Sequence, residues 1–210
     1  MDHQLQTVQV YNDFVQNYVD KFMKMELYED TWLDFLALLP PNASLLELGC
    51  GPGNVAKFFL DQRPDLVVTG FDLAPNMVEF AKKLNPSASF EVRDIRQLGV
   101  AKQTYGAIVA SFCMPYLSPS DLEFLFEDMA RLLEKNGFIY LSCMEGPEEK
   151  SGFEKTSFTG DLELFVYYHS RENLERLIQR SHFTIQRFYT KDYPETDGSF
   201  TTDLVYLLKK

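Results

Sequence analysis

The chain has 210 residues, of which 45% are hydrophobic and 14% aromatic, and carries a formal net charge of −11 with a pI near 4.7. That composition supplies a large core and excludes a disordered chain; with no Pro/Ser/Gly-rich or low-complexity interruption, residues 1–210 read as a single domain. The acidic balance argues against DNA, RNA and anionic membranes as partners, because affinity for polyanions rests on Lys and Arg neutralising phosphates.

Residues 1–10 lack a basic start followed by an apolar stretch, and no run of about 18 apolar residues occurs, so neither a secretory signal nor a membrane span is expected. Cys50, Cys113 and Cys143 are odd in number and widely spaced. They fit a reducing compartment better than a disulfide framework, and a cytoplasmic location is the expectation.

Apolar residues at helical spacing, among them Val15, Val19, Phe22, Trp32, Phe35 and Leu36, predict one broken helix or two over residues 8–39, stopped by Pro40-Pro41. Strand and helix signals then alternate: strand 44–48, a helix from 54, strand 66–71, helix 75–84, strand 88–92 and strand 105–110. Such alternation predicts a parallel sheet with helices on both faces. Ser118 as N-cap, Pro119 at the first position, an apolar stripe from Leu122 to Leu133 and Gly137 beyond the end predict the next helix, followed by strand 138–142. The polar segment 145–160 reads as a long loop and 162–168 as an extra strand. A helix from Ser170 to about Ser181 precedes strands near 183–190 and 202–208, which are suited to close the sheet as an antiparallel hairpin.

The chemistry-bearing feature is the run Leu45-Leu46-Glu47-Leu48-Gly49-Cys50-Gly51-Pro52-Gly53, with Asp72 about 20 positions later. Glycines in a strand-to-helix turn let a ligand approach the backbone closely and permit positive φ. A carboxylate at the tip of the neighbouring strand is placed to accept from both hydroxyls of a ribose. These features point to a nucleoside-containing ligand. A dinucleotide fingerprint, Gly-x-Gly-x-x-Gly, would need a glycine where Asn54 stands; the third glycine comes one place early.

The order of this turn, Asp72, the Phe90-Glu91-Val92-Arg93-Asp94-Ile95 segment, Tyr105 to Ser111 and Leu132 to Phe138 closely resembles the class I S-adenosylmethionine-dependent methyltransferases, particularly their small-molecule branch. The resemblance covers residues 44–143 and more loosely the rest. It implies a Rossmann-like, doubly wound α/β fold: a mostly parallel seven-stranded sheet with a C-terminal antiparallel hairpin and an N-terminal helical cap. It divides the chain into a cap (1–41), a cofactor-binding core (42–143) and a substrate-side loop with closing strands (144–210).

The resemblance further implies that Gly49, Cys50, Gly51 and Gly53 line the amino-acid and ribose part of S-adenosylmethionine, with Glu47 near its ammonium. Asp72 would take the ribose hydroxyls, Leu73 and Met77 would pack on the adenine, and Asp94 and Ile95 would hydrogen-bond it. Ser111 and Phe112 would face the methionine portion. Asp72 and Asp94 also suit plain turn or helix capping. Tyr11 and Tyr18 are either a lid over the cofactor or simply core, and His169 is either a general base or a structural histidine. The cysteines fall after three predicted strands, but no metal is expected. The acceptor is expected to be a small molecule, since Ser111-Phe112-Cys113-Met114 replaces the Asp/Asn-Pro-Pro-aromatic turn of base-methylating relatives, and the protein is expected to be a monomer or homodimer.

Overall fold

The computed structural model describes residues 3–100, 103–160, 162–195 and 198–210. Its central strands are apolar on both sides because both faces of the sheet are covered there. Leu45 of β1 (Ser44–Leu48) packs into one hydrophobic cluster and Leu46 and Leu48 into the other, as the two-residue period of a strand requires.

The N-terminal segment breaks into three helices: α1 (His3–Asp13), α2 (Val15–Phe22) and α3 (Glu29–Leu36). Phe14, at φ −115°, interrupts the first two, and a 3-10 turn at Glu26–Tyr28 precedes the third. In α3 the acidic Glu29 and Asp30 occupy the first turn, where they complement the helix dipole, while Trp32, Phe35 and Leu36 are buried. These side chains meet Phe59 of α4 (Asn54–Gln62), at ring separations of 6.2 Å for Trp32 and 5.9 Å for Phe35.

After α4 the chain runs through β2 (Val67–Asp72), α5 (Pro75–Leu84), β3 (Ser89–Val92), β4 (Tyr105–Ser111), α6 (Pro119–Leu132) and β5 (Leu133–Met144). Ser118 caps α6 as its sequence predicts, its hydroxyl accepting from the Asp121 N–H at 3.2 Å. The helix nevertheless ends at Leu132, not near Gly137. Gly137 lies within β5, where an added Cβ would fall 2.9 Å from the Gly106 carbonyl, so this glycine serves close approach between β5 and β4.

The segment expected to be one long loop contains β6 (Gly152–Lys155), which pairs antiparallel with β7 (Glu163–Val166). The extra strand anticipated at 162–168 is thus part of a separate two-stranded ribbon, not of the main sheet. Finally α7 (Arg171–Arg180), β8 (Thr184–Pro194) and β9 (Phe200–Lys209) close the fold.

The seven-stranded sheet has the order β3-β2-β1-β4-β5-β9-β8, with β9 antiparallel to β5 and to β8. This is the expected α/β arrangement with its C-terminal hairpin. Strand order reverses between β1 and β4, and ligands of open α/β sheets bind outside the carboxyl ends of the strands at such a switch point.

Candidate functional site

At that switch point lies a cavity of about 130 Å³, lined by the ends of β1, β2, β3 and β4 and by the N-terminal helices. Gly49 and Gly51 are on its wall. The turn is pinned by the N–H groups of Gly49 and Cys50, which both donate to the Phe71 carbonyl at 2.8 and 2.9 Å. Gly51 has φ +51° and open space where a Cβ would stand, so it offers bare backbone to a ligand. Gly53 plays another part. At φ +79° it caps α4, and a Cβ there would fall 2.7 Å from Asn85 Nδ2 and 3.0 Å from Ala81 Cβ, so its role is packing against α5 and not contact with the cavity.

Asp72 lines the cavity and serves as a turn cap. One carboxylate oxygen accepts from the Gly51 N–H at 2.8 Å and the other from the Ala74 N–H at 2.9 Å, capping the turn into α5. Burial pushes its pKa up, against the pull of these backbone donors. Asp94, also on the wall, accepts from the Arg96 N–H and, in a fork, from the Arg96 guanidinium at 2.7 to 3.1 Å. Burial would raise its pKa, but the Arg96 hydrogen bonds and charge outweigh that and hold it below the usual range, so it is ionised at neutral pH.

Leu73, Ile95, Ser111 and Phe112 complete the predicted wall. Phe112 adopts φ +54°, held by its N–H donating to the Ser142 carbonyl at 3.1 Å, and its ring meets Tyr28 edge-on at 5.1 Å. Tyr11 and Tyr18 close the opposite side. The Tyr11 hydroxyl hydrogen-bonds that of Tyr116, and Phe158 packs on both phenols at 5.2 and 5.5 Å. Burial raises the pKa of both tyrosines, so they stay protonated. Two hydrogen bonds between Asn12 and Asn76, each 2.9 Å, tie α1 to α5 beside the cavity.

Several expected site residues stand elsewhere. Met77 is 1% exposed and is not on the wall, because α5 turns it into the interior. Cys50 is likewise 1% exposed, in the core between β1 and α4. His169 lines neither this cavity nor its neighbour; it is fully buried, with Nε2 against the Met114 carbonyl at 3.1 Å, and burial lowers its pKa. No group of three or more His, Cys, Asp or Glu suited to a metal occurs among the described residues.

Glu47 lies beneath the turn, 2% exposed. It accepts from the Ala56 N–H at the start of α4, while Oε2 has no hydrogen-bond partner among the described residues. Burial first, and then the Asp72 charge, push its pKa up to about 8, so it is mostly protonated at neutral pH.

Sequence reasoning missed Thr7, Val8, Ala74, Arg93, Cys113, Tyr116 and Leu117 on the wall. Arg93 was visible only as a neighbour of Asp94; its guanidinium lies over the Phe71 ring at 4.7 Å. A second cavity of about 410 Å³ adjoins the first and shares Tyr11, Tyr18, Phe112 and Tyr116 with it.

Residues 45–137 match the family model described as a methyltransferase domain. Over that stretch, somewhat under half of its length, the chain is similar to methyltransferase domains. Among curated relatives, the malonyl-[acyl-carrier protein] O-methyltransferase of Acetivibrio thermocellus is 29% identical over 116 residues, covering 54% of this chain and 40% of that protein. A putative methyltransferase of Invertebrate iridescent virus 6 is 25% identical over 100 residues, covering 48% and 37%. The chain therefore spans about two-fifths of the length of these relatives.

The fold is shared more widely. The crystal structure of a Methanosarcina mazei protein titled as a SAM-dependent methyltransferase superposes with a TM-score of 0.72 at 19% identity, over 83% of this chain and 95% of that one. The Burkholderia thailandensis 1,6-didemethyltoxoflavin-N1-methyltransferase, solved with bound 1,6-didemethyltoxoflavin and S-adenosylhomocysteine, gives 0.70 at 20% identity, over 100% and 90%. Among the described residues of this chain, no helix is long and apolar enough to cross a membrane.

Proposed function

We propose that this chain is an S-adenosylmethionine-dependent methyltransferase that acts on a small-molecule acceptor by in-line displacement. The observation that carries the reading is convergence: Gly49 and Gly51 after β1, Asp72 at the end of β2, Asp94 and Ile95 after β3, and Ser111 and Phe112 at the end of β4 all border one cavity at the switch point. The residues suit that cofactor. Each oxygen of Asp72 accepts one backbone N–H and retains lone-pair capacity for ribose hydroxyls. A dinucleotide fits less well. Asn54, where its third glycine would stand, donates to the Phe22 carbonyl at 3.1 Å and so ties α4 to the N-terminal cap.

In this reading Gly49 and Gly51 hold the ribose and amino-acid portions, Leu73 and Ile95 flank the adenine, and Asp94 accepts from its exocyclic amine. When bound, S-adenosylmethionine supplies a methyl group already activated by the sulfonium. The protein's own contribution is to align the reacting atoms and exclude water, for which Tyr11, Tyr18 and Tyr116 form the cover. A base is needed only where the acceptor holds its proton at neutral pH. The net charge of −11 and the Ser111-Phe112-Cys113-Met114 turn favour a metabolite over a nucleic acid as acceptor, and the reading places a monomer or homodimer in the cytoplasm.

The test is transfer of a tritiated methyl group from S-adenosylmethionine to fractionated metabolite pools. A labelled small molecule is the expected result. Intact cofactor binding with no labelled product from any pool would contradict catalysis and leave a non-catalytic binding protein.

A further inference from the structure

The larger cavity has a chemistry of its own. Asp203 on β9 is on its wall and yet only 2% exposed. Its Oδ2 accepts a hydrogen bond from the Tyr28 hydroxyl at 2.5 Å, and its Oδ1 has no hydrogen-bond partner among the described residues. Burial, reinforced by the negative charges of Glu195 and Asp192 and opposed by Tyr28, raises its pKa to about 6, so at neutral pH it is still mainly a carboxylate. A buried anion with a bare oxygen is costly, and in a native fold such a group points to a partner.

Position relates this carboxylate to the methyl-donor site. Asp203 pairs with Met144 across β5–β9, two residues beyond Ser142, which pairs with Ser111 across β4–β5. With strands about 4.8 Å apart and a rise of about 3.3 Å per residue, Asp203 stands about 12 Å from Ser111. That is the length of one small molecule. Phe112 bridges the two sites, lining both cavities and touching Tyr28. Tyr18, Phe22 and Phe158 add aromatic faces, which attract cations. Basic groups are present but differently placed: Lys24 and Lys155 are exposed, and the half-buried Lys21 donates to the Ser157 carbonyl at 2.8 Å.

We propose that this cavity is the acceptor site and that it takes an organic amine, whose protonated nitrogen is held by Asp203 while Tyr28 fixes the carboxylate. The proposal rests on the cofactor reading of the adjoining cavity. In it Asp203 is a binding residue that selects a cationic head group over a carboxylate one.

The experiment uses two probes that share a ring and differ in charge, phenethylamine and phenylacetate, titrated by ligand-observed NMR against the protein alone and saturated with S-adenosylhomocysteine. Phenethylamine should bind at least tenfold more tightly than phenylacetate. Asp203→Asn should weaken it at least tenfold while leaving S-adenosylhomocysteine affinity within twofold. Tyr28→Phe, which keeps the carboxylate, should give a smaller loss and covers the case in which Asp203→Asn fails to fold. Equal or tighter binding of phenylacetate, no binding of either probe, or amine binding indifferent to both substitutions would overturn the proposal. Failure of the wild-type protein to bind S-adenosylhomocysteine overturns the cofactor reading instead, and the titration of the protein alone still reads Asp203.

Discussion

Asp72→Ala is expected to weaken S-adenosylhomocysteine binding by roughly 1 to 3 kcal/mol, about five- to 150-fold, when measured by isothermal titration calorimetry. Two losses contribute. The ribose hydroxyls lose their acceptor, and the Gly51 and Ala74 N–H groups lose theirs, so the turn that carries the bare Gly51 backbone is less well held. A denaturation curve on the same variant separates the two, since only the second changes the stability of the ligand-free protein. Unchanged affinity in a folded Asp72→Ala protein would remove Asp72 from the site.

Glu47 sets a pH dependence of stability whose sign follows from its burial. Its pKa is about 8 in the folded chain against 4.5 for an ordinary glutamate, so between those values the folded state keeps a proton that the unfolded state has lost. The contribution is whole below pH 4.5 and is lost as the pH rises through about 8, where the folded protein must carry a buried carboxylate. At about 1.4 kcal/mol per pKa unit, the span amounts to roughly 3 to 5 kcal/mol. The ligand-free protein should therefore lose stability between pH 4.5 and 8, and Glu47→Gln, which keeps shape without the titration, should flatten that decline. Urea denaturation midpoints at four pH values measure it; parallel profiles for the two proteins would contradict the assignment.

The central strands were legible because their side chains are buried on both faces and so form apolar runs, as at Leu45–Leu48 and Ile108–Ala110. β6 was not, since Gly152-Phe153-Glu154-Lys155 pairs only with β7 and carries no such run. Gly137 looked like a helix cap because the apolar stripe of α6 continues through Leu133, which belongs to β5.

In the site, Asp72 and Asp94 were visible because each stands at or just beyond a strand end, a position that topology alone sends to the ligand edge. Met77 and Gly53 do not line the cavity, and at Gly53 the reason is packing. Helix α5 leans on the glycine turn through Ala81 and Asn85, so contacts that local spacing assigns to a ligand are made within the protein. The Tyr28–Asp203 pair joins residues 175 positions apart, beyond any local pattern. The one available signal was an acid opening the apolar run Leu204 to Leu208 of β9.

The most direct test of the account is calorimetric titration of the intact protein with S-adenosylhomocysteine and, separately, with NAD. One-site binding of S-adenosylhomocysteine, with no heat of binding from NAD, is the predicted result. Binding of NAD with none of S-adenosylhomocysteine would contradict it.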